Sequence, residues 1–250
     1  MATPIDISEE GGVRYLHFGS EWVQGAMRIR RPVDLELAYT REMMAGLLLH
    51  PPPWPRNALL VGLGAASLAR FCYHRLPGCK ITVVEIEPRV VAAAQQFFKL
   101  PPEDGRFRVV IDDGAHFVLA GGQHYDYILV DGFDRHARVG ALDTLPFYQA
   151  CRARLSDQGL LAVNLFGHSR GFKDSLGRIA SAFDNRSLAL PASESGNVIA
   201  LAAAGAPART SLDELKARAQ ALKSATGLKL QDTLARLEQA RALPDGQLVL

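Results

Sequence analysis

Beyond residue 57 the chain alternates between two hydrophobic patterns. Nearly continuous apolar runs at 58–62, 80–86, 107–111, 126–131 and 159–165 predict strands buried on both faces. Between them, apolar positions recur at helical spacing over 66–76, 88–98, 115–120, 144–155 and 171–183. Pro88 opens the second of these helices at a position that suits proline. Two more runs, 187–190 and 197–203, flank the turn at Ser195-Gly196 and complete seven strands. Strand–helix alternation of this kind predicts an α/β, Rossmann-like fold: a seven-stranded, mostly parallel sheet covered by helices on both faces.

The flanks read differently. Gly11-Gly12 separates Ile5-Asp6-Ile7 from the run Val13 to Phe18, which predicts a small β-hairpin unit over residues 1–34. Leu37, Met43, Met44, Leu47 and Leu48 sit at helical spacing and predict a helix over 35–49. His50 and the prolines at 51–53 and 55 end it. From Ser211 to Leu250 the pattern reads as helical. Thr210 or Ser211 with Glu214 resembles a capping box. Leu212, Leu215, Ala219 and Leu222 form one apolar stripe, and Leu230, Leu234 and Leu237 another. The expected organisation is a hairpin unit at 1–34, a Rossmann-like domain at 35–205 and a helical appendage or dimer arm at 206–250.

Charge and cysteine usage narrow the function. A formal net charge of +2 over 250 residues gives no nucleic-acid footprint, and Arg28-Ile29-Arg30-Arg31 is the densest basic cluster. Cys72, Cys79 and Cys151 form no CxxC pair, which fits reduced thiols and a cytoplasmic location. The acidic N-terminal segment does not resemble a signal peptide, and the apolar run over 198–208 is too short to span a membrane. The histidines show neither HxxxH nor HExxH spacing, so no metal is expected, and no serine lies in GxSxG.

Candidate chemistry clusters at the predicted strand ends. Gly62-Leu63-Gly64 gives a tight turn between strand and helix, suited to close approach of a nucleoside. Glu85 ends the next strand about 20 residues on, where such folds place an acid that accepts two ribose hydroxyls. Glu87 is the rival acid, facing the same way but further out. Asp113, before Gly114, is a candidate for the adenine amine or else a helix cap. If it is the ligand, Asp112 is the expected cap. Asp131 ends a fully apolar strand, where an acid is costly unless used. With Asp134 it makes a paired-acid site able to hold an ammonium and accept its proton. An Asp-Gly turn with a salt bridge to Arg135 or Arg138 is the structural alternative.

Taken together, these residues resemble the polyamine aminopropyltransferase family, the spermidine synthases, from about Trp22 to Ala204. Glu85 matches the family's ribose acid and Asp113-Gly114 its adenine-site pair. Asp131-Gly132-Phe133-Asp134 matches its paired-acid motif. Phe147-Tyr148 and the Gly159 to Ala162 segment match its next helix and strand, and Tyr39 matches a substrate-contacting tyrosine. The resemblance implies a class I methyltransferase-like sheet, decarboxylated S-adenosylmethionine as donor, a polyamine or other amine as acceptor and a homodimer. It also implies that Asp131 takes the proton while Asp134 and Tyr39 position the amine. Two positions depart from the family. Ala65 stands where it has an acid for the donor's amino group, and Arg135-His136-Ala137-Arg138 replaces its Pro-x-Gly-Pro segment. Ala65 keeps S-adenosylmethionine-dependent methyl transfer open, and a non-catalytic nucleoside-binding dimer also remains.

Overall fold

The computed structural model describes residues 4–20, 22–132, 140–193, 196–206 and 209–250. The chain begins with β1 (Asp6–Glu10), β2 (Val13–His17) and β3 (Val23–Arg28). These form a three-stranded antiparallel meander, one strand more than the hairpin that Gly11-Gly12 predicts.

Next come α1 (Ala38–Glu42) and a 3-10 turn, Ala45–Leu48. The single helix expected over 35–49 is therefore short and broken, and Tyr127 is the reason. Its buried hydroxyl donates to the Met43 carbonyl and accepts the Gly46 N–H at 3.2 Å. The ring lies so close that a Cβ on Gly46 would come within 2.7 Å of the hydroxyl. A side chain from the sheet thus takes the place of helical hydrogen bonds, a tertiary contact that apolar periodicity does not report.

The core follows in alternation: β4 (Asn57–Val61), α2 (Ser67–Arg75), β5 (Lys80–Glu85), α3 (Pro88–Phe97), β6 (Phe107–Ile111), α4 (Gly114–Leu119) and β7 (Tyr125–Val130). After a 3-10 turn, Gly140–Asp143, come α5 (Leu145–Ala153), β8 (Leu155–Phe166), α6 (Phe172–Ala182), β9 (Ser187–Ala189) and β10 (Asn197–Ala203). The seven strands lie in the order β6-β5-β4-β7-β8-β10-β9. From β6 to β8 all neighbours are parallel, and β10 runs antiparallel to β8 and β9. The mostly parallel seven-stranded sheet read from the sequence is the sheet of the structure.

Alternation within each strand fills both faces. In β4, Ala58 and Leu60 pack toward α2, while Leu59 and Val61 pack toward α4 and α5. The chain steps outward from β4 to β6 and then returns to β7 beside β4. This is the switch point where such sheets open a crevice at their C-terminal strand ends.

The tail is helical only in part: α7 (Leu212–Thr226) and α8 (Gln231–Gln239) lie between β11 (Arg209–Ser211) and β12 (Gln247–Val249), which pair into a ribbon that the helical reading does not include. Ser211 caps α7 through Glu214 N–H, as the capping-box reading requires. Leu215, Ala219, Leu230, Leu234 and Leu237 are buried in the same core as α2 and the α1 segment. Arg218 donates to the Leu48 and Leu49 carbonyls, and Arg236 pairs with the buried Glu42 of α1.

Candidate active site

A cleft of about 1010 Å³ opens above the C-terminal ends of β4, β5 and β7, and β3 and α1 form its other wall. Registers place its floor: Val61 pairs with both Val84 and Val130, so these three strands end level. Their next residues face the opening together.

Gly62 closes β4 with φ +97°, a conformation that L side chains rarely adopt. A Cβ there would lie 2.1 Å from the Asp131 carbonyl oxygen, so glycine is what lets the β4 and β7 ends approach each other. Gly64 also has positive φ and lines the cleft. Ala65 is buried, its methyl abutting Gly25 of β3: a Cβ on Gly25 would lie 2.6 Å from it.

Glu85 is 8% exposed at the end of β5. Its Oε2 accepts Leu63 N–H at 2.9 Å and its Oε1 accepts Glu87 N–H at 3.0 Å. Burial raises its pKa, and the backbone N–H groups of the glycine turn and of Glu87 oppose that rise. Each oxygen has a further lone pair for a ligand hydroxyl. Glu87 is otherwise engaged. Arg89 grips its carboxylate and brings its pKa down to about 2.

Asp113 caps α4, its Oδ1 accepting Ala115 N–H at 2.8 Å and His116 N–H at 3.0 Å. This is the helix-cap alternative for Asp113; Asp112, the cap expected if Asp113 were the ligand, instead accepts Asp113 N–H and pairs with His116. One Asp113 oxygen satisfies the helix, and the second accepts no bond among the described residues. Gly114 follows at the first position of α4, against Val61, and both Asp113 and Gly114 line the cleft. Ile86 and Leu142 line the same end, and Ile86 is 65% exposed.

At the far end stands Asp131, one residue beyond β7. Asn164 of β8 donates to its Oδ1 at 2.8 Å, and the buried Tyr39 hydroxyl of α1 stands beside the same carboxylate. Burial pushes the Asp131 pKa up, while these two donors pull it down. The Tyr39 phenol is pushed well above its usual value by burial and then by the neighbouring carboxylate. Asp134 and the Arg135–Arg138 segment lie outside the described residues.

The structure thus brings Gly62, Gly64, Glu85, Asp113, Gly114, Asp131 and Tyr39 to one cleft. It adds residues that sequence reasoning missed. Gln24 and Trp22 reach the cleft from the N-terminal meander, and Trp22 packs on Phe166 with ring centroids 5.7 Å apart. Asn164 and Asn197 complete the Asp131 end. Asn164 carried a readable signal, an amide inside an apolar run. Trp22 and Gln24 carried none, because only the packing of β3 over the sheet brings them in. Among the described residues, no cluster of three or more His, Cys, Asp and Glu could hold a metal, and no helix is long and apolar enough to cross a membrane.

Residues 36–170 match the spermine/spermidine synthase domain. The chain is 38% identical over 234 residues to the polyamine aminopropyltransferase of Neisseria meningitidis serogroup A, covering 94% of this chain and 89% of that protein. Among solved structures it shares its fold with a spermidine synthase in complex with the transition-state analogue AdoDATO. That match has TM-score 0.65 and 20% identity, covering 96% of this chain and 86% of that one. Human methyltransferase-like protein 13 in complex with SAH also matches, with TM-score 0.68 and 27% identity over 76% of this chain and 93% of that one. On the domain match and on the identity to a relative over nearly its whole length, the chain belongs to the spermine/spermidine synthase family.

Proposed function

We propose that the protein transfers an aminopropyl group from decarboxylated S-adenosylmethionine to a polyamine or related amine. The observation that carries this reading is the Asp131 carboxylate, held by Asn164 and faced by Tyr39 at one end of a cleft whose other end offers Glu85 and Asp113. Glu85 takes the ribose diol, the free Asp113 oxygen takes the adenine amine, and the purine packs between Ile86 and Leu142. Residues 35–205 supply the chemistry, 1–34 the opposite wall, and 206–250 the support beneath α1. The working form is a cytoplasmic homodimer, and the solution mass of the 27.2 kDa chain tests the oligomer.

The reaction is an in-line displacement. The acceptor amine attacks the aminopropyl carbon attached to the sulfonium, a C–N bond forms and the C–S bond breaks. The electron pair returns to sulfur, so the thioether leaves without a proton. The acceptor is an ammonium at neutral pH and must lose one proton to attack, and Asp131 receives it. Tyr39 and Asp134 orient the amine, so the nucleophile is bound close to the carbon it attacks. Incubation with decarboxylated S-adenosylmethionine and putrescine should yield spermidine and methylthioadenosine by chromatography. Absence of turnover in protein that still binds methylthioadenosine would overturn the reading.

A second reading, methyl transfer from S-adenosylmethionine, draws on Ala65. The buried methyl against Gly25 leaves no acid there for the donor's amine. Calorimetry with both donors separates the two readings, and the expected result is tighter binding of the decarboxylated form. The nucleoside end has its own test. Glu85→Ala should weaken methylthioadenosine binding by roughly 10- to 100-fold, the worth of one or two hydrogen bonds to a charged group. Unchanged affinity would remove Glu85 from the site.

A further inference from the structure

Asp131, Asn164 and Asn197 stand side by side across three neighbouring strands. Val130 pairs with Val163, so the next residues, Asp131 and Asn164, are level. In the antiparallel pair beyond, Asn197 lies opposite Phe166 and Ile199 opposite Asn164. Asn197 is therefore the diagonal, same-face neighbour of Asn164. Asn164 is 2% exposed in a strand whose neighbours are apolar. Its Nδ2 donates to Asp131 Oδ1 at 2.8 Å, and its Oδ1 accepts Asn197 Nδ2 at 3.0 Å.

An amide has a donor end and an acceptor end, and a buried one must be told which way to face. With its oxygen toward Asp131, Asn164 would set lone pairs against a carboxylate. Asn197 prevents that by donating to this oxygen, which leaves the Asn164 NH2 for the acid. The geometry points to Asn164 and Asn197 as positioning residues: Asn197 orients the Asn164 amide, and Asn164 fixes the Asp131 carboxylate offered to the acceptor amine. This rests on the proposed role of Asp131. The choice of amides has a chemical logic. Arg or Lys beside Asp131 would hold the carboxylate more strongly but would repel a cationic acceptor, whereas an amide donates without net charge.

The test is a double-mutant cycle on the full-length protein, with decarboxylated S-adenosylmethionine and putrescine, read as kcat and KM against pH. Asn164→Leu should lower kcat roughly tenfold, the worth of one hydrogen bond to a charged group. It should also move the acidic limb of kcat upward by about one pH unit, because a lost donor favours the protonated acid. The putrescine KM should change little. Asn197→Ala should act in the same direction and less, and Asn197→Ser, which keeps a donor, should restore most of the loss. The double variant should be no worse than Asn164→Leu alone, because Asn197 acts through Asn164. Additive losses, or a raised KM with an unmoved acidic limb, would overturn the inference. If Asn164→Leu does not fold, the Asn197 pair decides on the same limb. Asp131→Asn in parallel separates the two ideas. If it retains wild-type turnover, the proton-acceptor reading falls and takes this one with it. If it is inactive while Asn164→Leu keeps the wild-type limb, only the positioning inference falls.

Discussion

Asp131→Asn is expected to lower kcat by about 10²- to 10⁴-fold, the range for losing a positioned proton acceptor, with methylthioadenosine affinity nearly unchanged. Asparagine keeps the shape of aspartate, with its oxygen for the Asn164 NH2 and its own NH2 for the Tyr39 hydroxyl, which can accept, so the cleft should persist. What it cannot do is take the proton from the acceptor ammonium. The pH profile sharpens this. Burial holds the Asp131 pKa above that of a free carboxylate, and the base works only when ionised. The acidic limb of wild-type kcat should therefore lie above the ordinary carboxylate range, and Asp131→Asn should lack it. A primary amine loses its own proton near pH 10, as lysine does. The gap between wild type and variant should accordingly close as the pH rises toward that value. A variant with wild-type kcat at neutral pH would sink the assignment.

The sequence made one end of this cleft easier to read than the other. Glu85 and Asp113 follow from spacing: an acid ending the strand after a glycine turn, and an Asp-Gly opening a helix. Their positions depend on local order along parallel strands, which alternation reports directly. Asp131 was readable because an acid ending an apolar strand demands a reason. The same argument applied to Asn164, one strand over, but a neutral amide costs less to bury and draws less notice. Asn197 gained meaning only from the register of β10 on β8, a pairing fixed by tertiary structure. The broken helix at Met43 and Met44 has the same origin. Its apolar spacing suits a continuous helix, and the Tyr127 hydroxyl that interrupts it comes from 84 residues beyond Met43. The cap at Asp113 rather than Asp112 turned on backbone geometry at one turn, which residue type alone leaves open.

The largest effect on stability is expected at Arg236. Its guanidinium reaches from α8 to Glu42 of α1, and the Glu42 side chain is 2% exposed against 29% for Arg236. A pair this unequal is held at a cost, because the carboxylate is out of water and its Oε2 has no partner among the described residues. Arg236→Ala leaves that charge buried and unpaired, which should cost about 3 kcal/mol, the lower end for breaking a buried pair. In a chain of this length, that corresponds to a fall in Tm of roughly 6–12 °C. Replacing both partners, Glu42→Leu with Arg236→Met, should recover most of the loss, since it removes the desolvated charge as well as its partner. The expected consequence for activity follows from position. Glu42 lies three residues after Tyr39 on α1, on the same helical face, so the pair anchors the segment that presents the tyrosine to Asp131. Arg236→Ala should lower kcat at temperatures well below its own melting point and leave methylthioadenosine affinity intact, because Glu85 and Asp113 are held by the sheet and not by the tail. Equal melting curves for Arg236→Ala and wild type would show that the tail is not what holds α1 in place.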